Sequence, residues 1–242
     1  MKDKSQIKEN TFLKGIIDGV PICLGYFSVA FAFGIFTVSN GLTSLEALLI
    51  SMTNVTSAGQ LAAVPIIVSG GTLFELAASQ LVINLRYALM SISLSQKLDG
   101  SVRLADRFLI AFVNTDEVFA VATSKEEVGR TYMFGLILTP YIGWSAGTAV
   151  GAIAGSILPE LVIAALGVAI YGMFIAIVVP PARENKHTLF CVIAAIVLSC
   201  AFKFLPLLKS VPAGFVIIIC SVAASAFAAL LFPLEKEEKE DE

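Results

Sequence analysis

Charge is scarce in this sequence. Only 14% of its 242 residues are Asp, Glu, Lys or Arg, against 57% apolar, and the mean hydropathy is +0.87. Soluble domains carry about 25% charged and about 45–50% apolar residues, so a water-soluble globular fold is excluded. Histidine occurs once, as His187 in the polar run Arg183-Glu184-Asn185-Lys186, where a solvated side chain is expected. The four cysteines, Cys23, Cys191, Cys200 and Cys220, lie inside apolar segments without CxxC spacing. They read as small buried hydrophobes rather than as a disulfide or metal framework. With no cluster of His, Cys and carboxylates, neither a metal nor a cofactor is expected. A GxxxxGK[ST] motif is also missing, so ATP hydrolysis would need a separate subunit. No small-residue cleavage site follows the basic stretch Lys2, Lys4, Lys8, Lys14, and the apolar run continues past Ile35. This start reads as a first transmembrane helix rather than a signal peptide. No nucleic-acid partner is expected.

What the sequence has is long apolar segments, at about 16–39, 45–69, 73–95, 131–157, 160–180, 188–205 and 211–232, with a weaker one at 108–123. At about 20 residues per crossing, they predict an all-α polytopic helix bundle of about eight spans, or seven if 108–123 is re-entrant. The eight-span count puts ten Lys and Arg on the side of the termini and five on the other. The positive-inside rule then places both termini in the cytoplasm. The expected organisation is a tail over 1–15, one transmembrane domain over 16–232 and a solvated acidic tail over 233–242. A faint internal echo suggests repeats over 16–123 and 131–232: Pro21 with Gly25-Tyr26 parallels Pro140 with Gly143-Trp144, 119 residues on. Four helices per half would make the repeats parallel, and seven spans would make them inverted.

Polar residues inside the apolar segments mark where chemistry is expected. Segment two is interrupted by Ser51-Met52-Thr53-Asn54-Val55-Thr56-Ser57-Ala58-Gly59-Gln60. These are mostly weak helix formers, and unpaired backbone in lipid costs several kcal/mol per group. A broken helix is expected, with Asn54, Thr56, Ser57, Gly59 and Gln60 binding a small polar solute at mid-membrane. In segment three, Gln80, Asn84, Tyr87 and Ser91 form one polar stripe and Ser79, Arg86 and Ser93 a second. A helix with two polar faces should be enclosed, and it too is expected to be discontinuous. Arg86, Asp116 and Glu117 would together cost on the order of 8–10 kcal/mol if unpaired at membrane depth. An ion pair between Arg86 and Asp116 or Glu117 is therefore expected, the remaining carboxylate serving as a proton-coupling group. Asn84, Arg86 and Tyr87 are further candidates for substrate binding.

Gly143, Gly147, Gly151 and Gly155 recur at i,i+4 and form a smooth ridge for close helix packing. The spacing leaves open whether its partner is a helix of this chain, a second copy or another subunit. Asp18, Glu46 and Glu160 begin apolar runs, where a helix N-terminus favours negative charge.

Taken in order, Gly19-Val20-Pro21-Ile22 with Gly25-Tyr26 and Phe33-Gly34, Ser57-Ala58-Gly59-Gln60-Leu61, Ile83-Asn84-Leu85-Arg86-Tyr87-Ala88-Leu89 and Thr115-Asp116-Glu117-Val118-Phe119 resemble the AzlC family of branched-chain amino acid permeases. The likeness runs from about Gly19 to Phe232. Where the family often has His after the arginine, this chain has Tyr87. The resemblance implies proton-driven export of small aliphatic amino acids across a bacterial cytoplasmic (inner) membrane, surrounded by membrane lipid and assisted by a small AzlD-like membrane subunit. Two other classes stay open from the residues alone. One is a membrane subunit of a larger complex, docking by the glycine ridge. The other is a membrane-embedded enzyme using Asp116 and Glu117 as an acid/base pair.

Overall fold

The computed structural model describes residues 11–233, with the backbone alone for residues 160, 163–167, 169–171, 173, 174 and 177. Lys2, Lys4, Lys8 and almost all of the acidic tail lie outside the described residues. Among those described there are ten α-helices: α1 Phe12–Ser39, α2 Ser44–Thr53, α3 Ser57–Val68, α4 Leu73–Ser95, α5 Leu104–Phe112, α6 Asp116–Thr123, α7 Arg130–Gly155, α8 Glu160–Glu184, α9 Lys186–Phe204 and α10 Ala213–Leu231. Four of them, α1, α7, α9 and α10, are each long and apolar enough to cross a membrane.

The architecture is organised around α1 and α7. Gly15 lies against Tyr132 and Leu136, and Gly19 against Leu136 and Pro140. Further along, Gly143, Gly147, Gly151 and Gly155 lie against Cys23, Phe27, Phe31 and Ile35. The paired numbers rise together, so the helices are parallel and touch along their whole length. A Cβ at Gly147 or Gly151 would collide with the carbonyl oxygen of Phe27 or Phe31. Removing side chains lets the backbones approach, and the ridge is thereby occupied within the chain. Pro21 and Pro140 sit inside these helices.

Taking α1 as pointing up, the contacts fix the direction of the other elements. The chain turns at the top through Gly41 at φ 92°, a conformation that suits glycine. α2 then descends along α7, with Ser51 Oγ 2.7 Å from Thr148 Oγ1 and Tyr141 donating to the Met52 carbonyl at 3.2 Å. α4 ends at the bottom, where the Val128 amide donates to the Lys97 carbonyl at 2.9 Å, two residues before α7 begins. Its other end, at Glu75, meets Gly214 at the start of α10. α4 therefore runs downward, and α3, which leads into it through Gly70 at φ 71°, climbs back up. α5 starts at the bottom, with Asp106 2.8 Å from Arg130. α6 returns there, with Lys125 just beyond it 3.7 Å from Asp18. Both broken segments thus turn back toward the end they came from.

The order of long helix, half-helix, break and half-helix occurs twice in opposite senses, as α1–α2–α3 and α4–α5–α6. Both descending and ascending first halves open alike: the Thr43 amide donates to Glu46 Oε2 at 2.7 Å and the Arg103 amide to Asp106 Oδ2 at 3.0 Å. α8 lies against α1, α9 against α8 and α10, and α10 against α4. α9 and α10 form an antiparallel hairpin, in which Phe190 contacts Phe227 and the ring of His187 stacks on Phe232 at 4.2 Å.

Two expectations about segment three are corrected. It is a continuous helix over Leu73–Ser95; the second discontinuity falls in the 108–123 segment, between Phe112 and Asp116. The physical reason lies in the residues. Segment three is rich in Leu, Ala and other good helix formers, whereas Asn114-Thr115-Asp116-Glu117 is a helix-start sequence in the middle of an apolar run. Nor is α4 enclosed: Leu81, Leu85, Leu89 and Ile92 form an exposed apolar stripe, a third face suited to lipid.

Candidate functional site

The two breaks meet. Residues Thr53–Thr56 of the first, Ala111, Phe112, Asn114 and Thr115 of the second, and Asn84 and Tyr87 of α4 line one cavity of about 170 Å³. Pockets for drug-sized ligands run to about 300–1,000 Å³, so the space suits a small solute. Larger cavities of about 290 and 490 Å³ also exist. The first lies between α4 and α5, with Ser91, Ser95 and Arg107 among its otherwise apolar walls; the other lies beside α1, α5 and α7, reaches the second break at Phe112 and Val113, and has Tyr141 as its one polar side chain.

Side chains hold the first break open. Gln80 Nε2 donates to the Gly59 carbonyl at 2.9 Å, and its Oε1 accepts from Asn54 Nδ2 at 2.9 Å and Asn84 Nδ2 at 3.2 Å. The polar stripe of α4 thereby ties the break at Asn54 to the first turn of the following half-helix at Gly59. Gly59 is needed for this, because a Cβ there would stand 2.6 Å from Gln80 Oε1. At the second break Asn114 Nδ2 donates to Ser91 Oγ at 3.1 Å. Thr56 and Thr115 occupy the N-cap positions of α3 and α6 without making side-chain caps. The first-turn amides of both half-helices consequently start at the cavity.

The charged residues stand beside it. Arg86 Nη2 is 2.8 Å from Asp116 Oδ2 and donates to the Tyr87 hydroxyl at 2.9 Å. Tyr26 donates to Glu117 Oε2, and its ring meets Trp144 edge-on at 5.1 Å. Arg86 and Asp116 are each about half exposed, at 54% and 46%. These charges face open space rather than a sealed core, and such space at membrane depth must hold water or a polar neighbour.

Of the sequence candidates, Asn54, Thr56, Asn84 and Tyr87 line the cavity, whereas Ser57, Gly59, Gln60, Arg86, Asp116 and Glu117 do not. Gln60 is fully buried and neither of its amide atoms has a hydrogen-bond partner; nothing in the structure explains that choice of residue. Sequence reasoning missed Asn114, Thr115 and Tyr26. The signal for the first two was available, since Asn114-Thr115 repeats the Asn and Thr of the first break about sixty residues on. Tyr26 stood out only as part of the Gly25-Tyr26 motif, and its role was not legible because its partner comes from a segment 91 residues away. Among the described residues no three His, Cys, Asp or Glu converge to hold a metal.

Broken helices meeting around a polar cavity, within a chain of long apolar helices, define a multi-pass membrane protein. The comparisons with known proteins agree. Residues 21–158 match the family model described as "AzlC protein". The inner membrane protein YgaZ of Escherichia coli is 31% identical over 195 residues, covering 77% of this chain and 79% of YgaZ. An uncharacterized membrane protein of Archaeoglobus fulgidus is 34% identical over 175 residues, 72% of this chain and 77% of the relative. No solved structure matches. The chain belongs to the AzlC family.

Proposed function

We propose that this protein is a secondary transporter that exports branched-chain and other small aliphatic amino acids across the bacterial cytoplasmic membrane, coupled to protons. Membership of the AzlC family supports the substrate class, and with it a small AzlD-like partner subunit and a transport rather than an enzymatic role. The observation that carries the mechanism is the meeting of two helix breaks at one cavity. Uncapped half-helix ends and amide side chains there suit a solute with separated charges. Asp116 is held by Arg86 and Glu117 by Tyr26, within one helical turn of the cavity. On this reading Glu117, which meets no cation among the described residues, carries the proton.

The chain directions support a particular membrane arrangement. α1, α4, α7, α8, α9 and α10 cross, and the α2–α3 and α5–α6 pairs enter from opposite faces and return. On this reading there are six crossings, against the eight expected from hydropathy. Among the described residues, Lys14, Lys97, Arg103, Arg107, Lys125, Arg130, Arg183 and Lys186 then share the lower face, and only Lys203 and Lys209 lie near the upper one. That asymmetry is stronger than the eight-span count allowed, and it makes the lower face cytoplasmic. The two triplets α1–α3 and α4–α6 form an inverted repeat, the arrangement from which alternating access is commonly built.

Two experiments test this reading. In proteoliposomes the protein should catalyse counterflow of labelled valine or leucine, and Glu117→Gln should keep that exchange while losing uphill transport driven by a proton gradient. Absence of flux for every small aliphatic amino acid, with the partner subunit present, would refute the function. For topology, a membrane-impermeant maleimide applied to intact cells should label both Asn40→Cys and Ser69→Cys, and should reach Gly100→Cys only after permeabilisation. Opposite behaviour of positions 40 and 69 would restore a full crossing by the second segment.

A further inference from the structure

The larger opening between α4 and α5 is an apolar slot with one charged residue in its lining, Arg107. We infer that it binds an anionic phospholipid of the lower leaflet, with the phosphate on Arg107 and part of one acyl chain in the slot. From the arrangement above, the inference takes only that α5 starts at the lower face and lies in the membrane. Arg107 is partly buried in the first turn of α5 and makes no ion pair with a described residue. Its neighbour Asp106 is already held by Arg130 at 2.8 Å and by the Arg103 amide at 3.0 Å, and Asp99 accepts from the Ser101 amide at 2.9 Å. A cation at a membrane boundary without a carboxylate of its own favours an anion from outside the chain. Lys97 and Arg103 stand immediately before the lining residues Leu98 and Leu104 and add positive charge at the lower end.

The slot opens to lipid. Its rim includes Ile92, from the exposed apolar stripe of α4, and the exposed Leu104 and Phe108 of α5. It is also thin. From Leu104 to Ala111 the helix rises roughly 10 Å, at about 1.5 Å per residue. A slot of about 290 Å³ along that length is narrower than a helix, which is about 10–12 Å across with its side chains. A helix of another chain therefore does not fit, whereas an extended hydrocarbon chain does. The two serines in the wall are engaged, Ser95 Oγ with the Ile92 carbonyl at 2.6 Å and Ser91 Oγ with Asn114 at 3.1 Å. An apolar slot with a lone guanidinium is the complement of an amphiphile with a negative head, and guanidinium matches phosphate oxygens in geometry as well as charge. At its upper end the slot reaches Ala111, which also lines the polar cavity at the breaks. A bound acyl chain thus packs against the wall of the second break.

The test uses the full-length protein, delipidated in detergent and then given phosphatidylglycerol or phosphatidylcholine with the same acyl chains. With lipid at about a hundred times its dissociation constant, phosphatidylglycerol should raise the melting temperature by about 5–10 °C and phosphatidylcholine by far less. Arg107→Gln should remove the excess given by phosphatidylglycerol, and Arg107→Lys, which keeps the charge but not the planar fork, should retain part of it. Ser95→Phe fills the slot without changing any charge and should remove the excess as well. Lys209→Gln, which loses a cation at the upper face, should keep it. Equal rises from the two lipids in the wild type would overturn the lipid site, as would the full excess in folded Arg107→Gln or in Ser95→Phe. Should Arg107→Gln fail to fold, Ser95→Phe and Arg107→Lys decide the same comparison. The transport reading is judged separately, by counterflow, and stands or falls without this result.

Discussion

Helices α1 and α7 run unbroken side by side and touch through glycine, whereas the α2–α3 and α5–α6 segments give up helical bonds at their centres and are bridged to α4 by polar side chains. Both regions lie at membrane depth, where every unpaired backbone group costs several kcal/mol. The first region satisfies that demand locally and uses small residues to gain van der Waals contact. The second is bridged by polar side chains: Gln80 of α4 meets the Gly59 carbonyl at 2.9 Å and Asn54 at 2.9 Å, and Ser91 meets Asn114 at 3.1 Å. Stability in the first depends on what is absent, and in the second on what is placed opposite. The difference separates a scaffold from a site: glycine contacts leave no polar group to spare, while the polar side chains bridging the breaks leave oxygens unmatched.

The contrast is sharpest at Gly151. Its replacement by leucine drives a side chain into the Phe31 backbone, and overpacking of this kind costs about 1–3 kcal/mol or more. With no flexible side chain there to move aside, loss of folded protein is expected, read as disappearance of the monodisperse peak in detergent chromatography. A normal peak would show that α1 and α7 are not held as described. Next comes Arg86→Ala, which strands Asp116. Breaking a buried pair costs about 3–5 kcal/mol, and half exposure of both partners reduces this to about 1–2 kcal/mol. Flux should vanish, and the melting temperature should recover in the Arg86→Ala, Asp116→Asn double variant; equal melting of single and double variants would show that the pair does not couple.

Gly59→Ala moves the comparison to the breaks. Its Cβ meets the ends of Gln80 and Asn54 rather than backbone, and these can shift. Folded yield should stay near normal while valine flux falls roughly ten- to a hundredfold, as about 1 Å of misplacement can cost about a hundredfold. A variant with unimpaired flux would remove the Gln80 bridge from the mechanism. The smallest effect is expected at Gly25 of α1, where a Cβ meets nothing within 4 Å. Gly25→Ala should leave flux intact and stabilise by up to about 1 kcal/mol through helix propensity. Destabilisation there would mean that a second surface packs on this face of α1.

Much of the site could be read from residue chemistry. The run through Asn54, Thr56 and Gly59 predicted the first break because its residues are poor helix formers. The cost of lone charges in oil pointed to a contact between Arg86 and a carboxylate of the 108–123 segment, and Arg86 meets Asp116 there. The second break was harder. Asn114 and Thr115 are flanked by apolar residues, so a hydropathy window averages over them. The glycine ridge revealed its use but not its partner, since a smooth face fits any other smooth face.

Composition and periodicity alone determined that this chain is a helical membrane protein with polar groups at depth, because these properties are sums over residues and need no knowledge of neighbours. Direction was decided by tertiary structure. Whether a broken segment crosses or turns back depends on which distant residues hold its ends, here Glu75 with Gly214 and Asp106 with Arg130, and hydropathy is the same for a span traversed once and a hairpin of equal length.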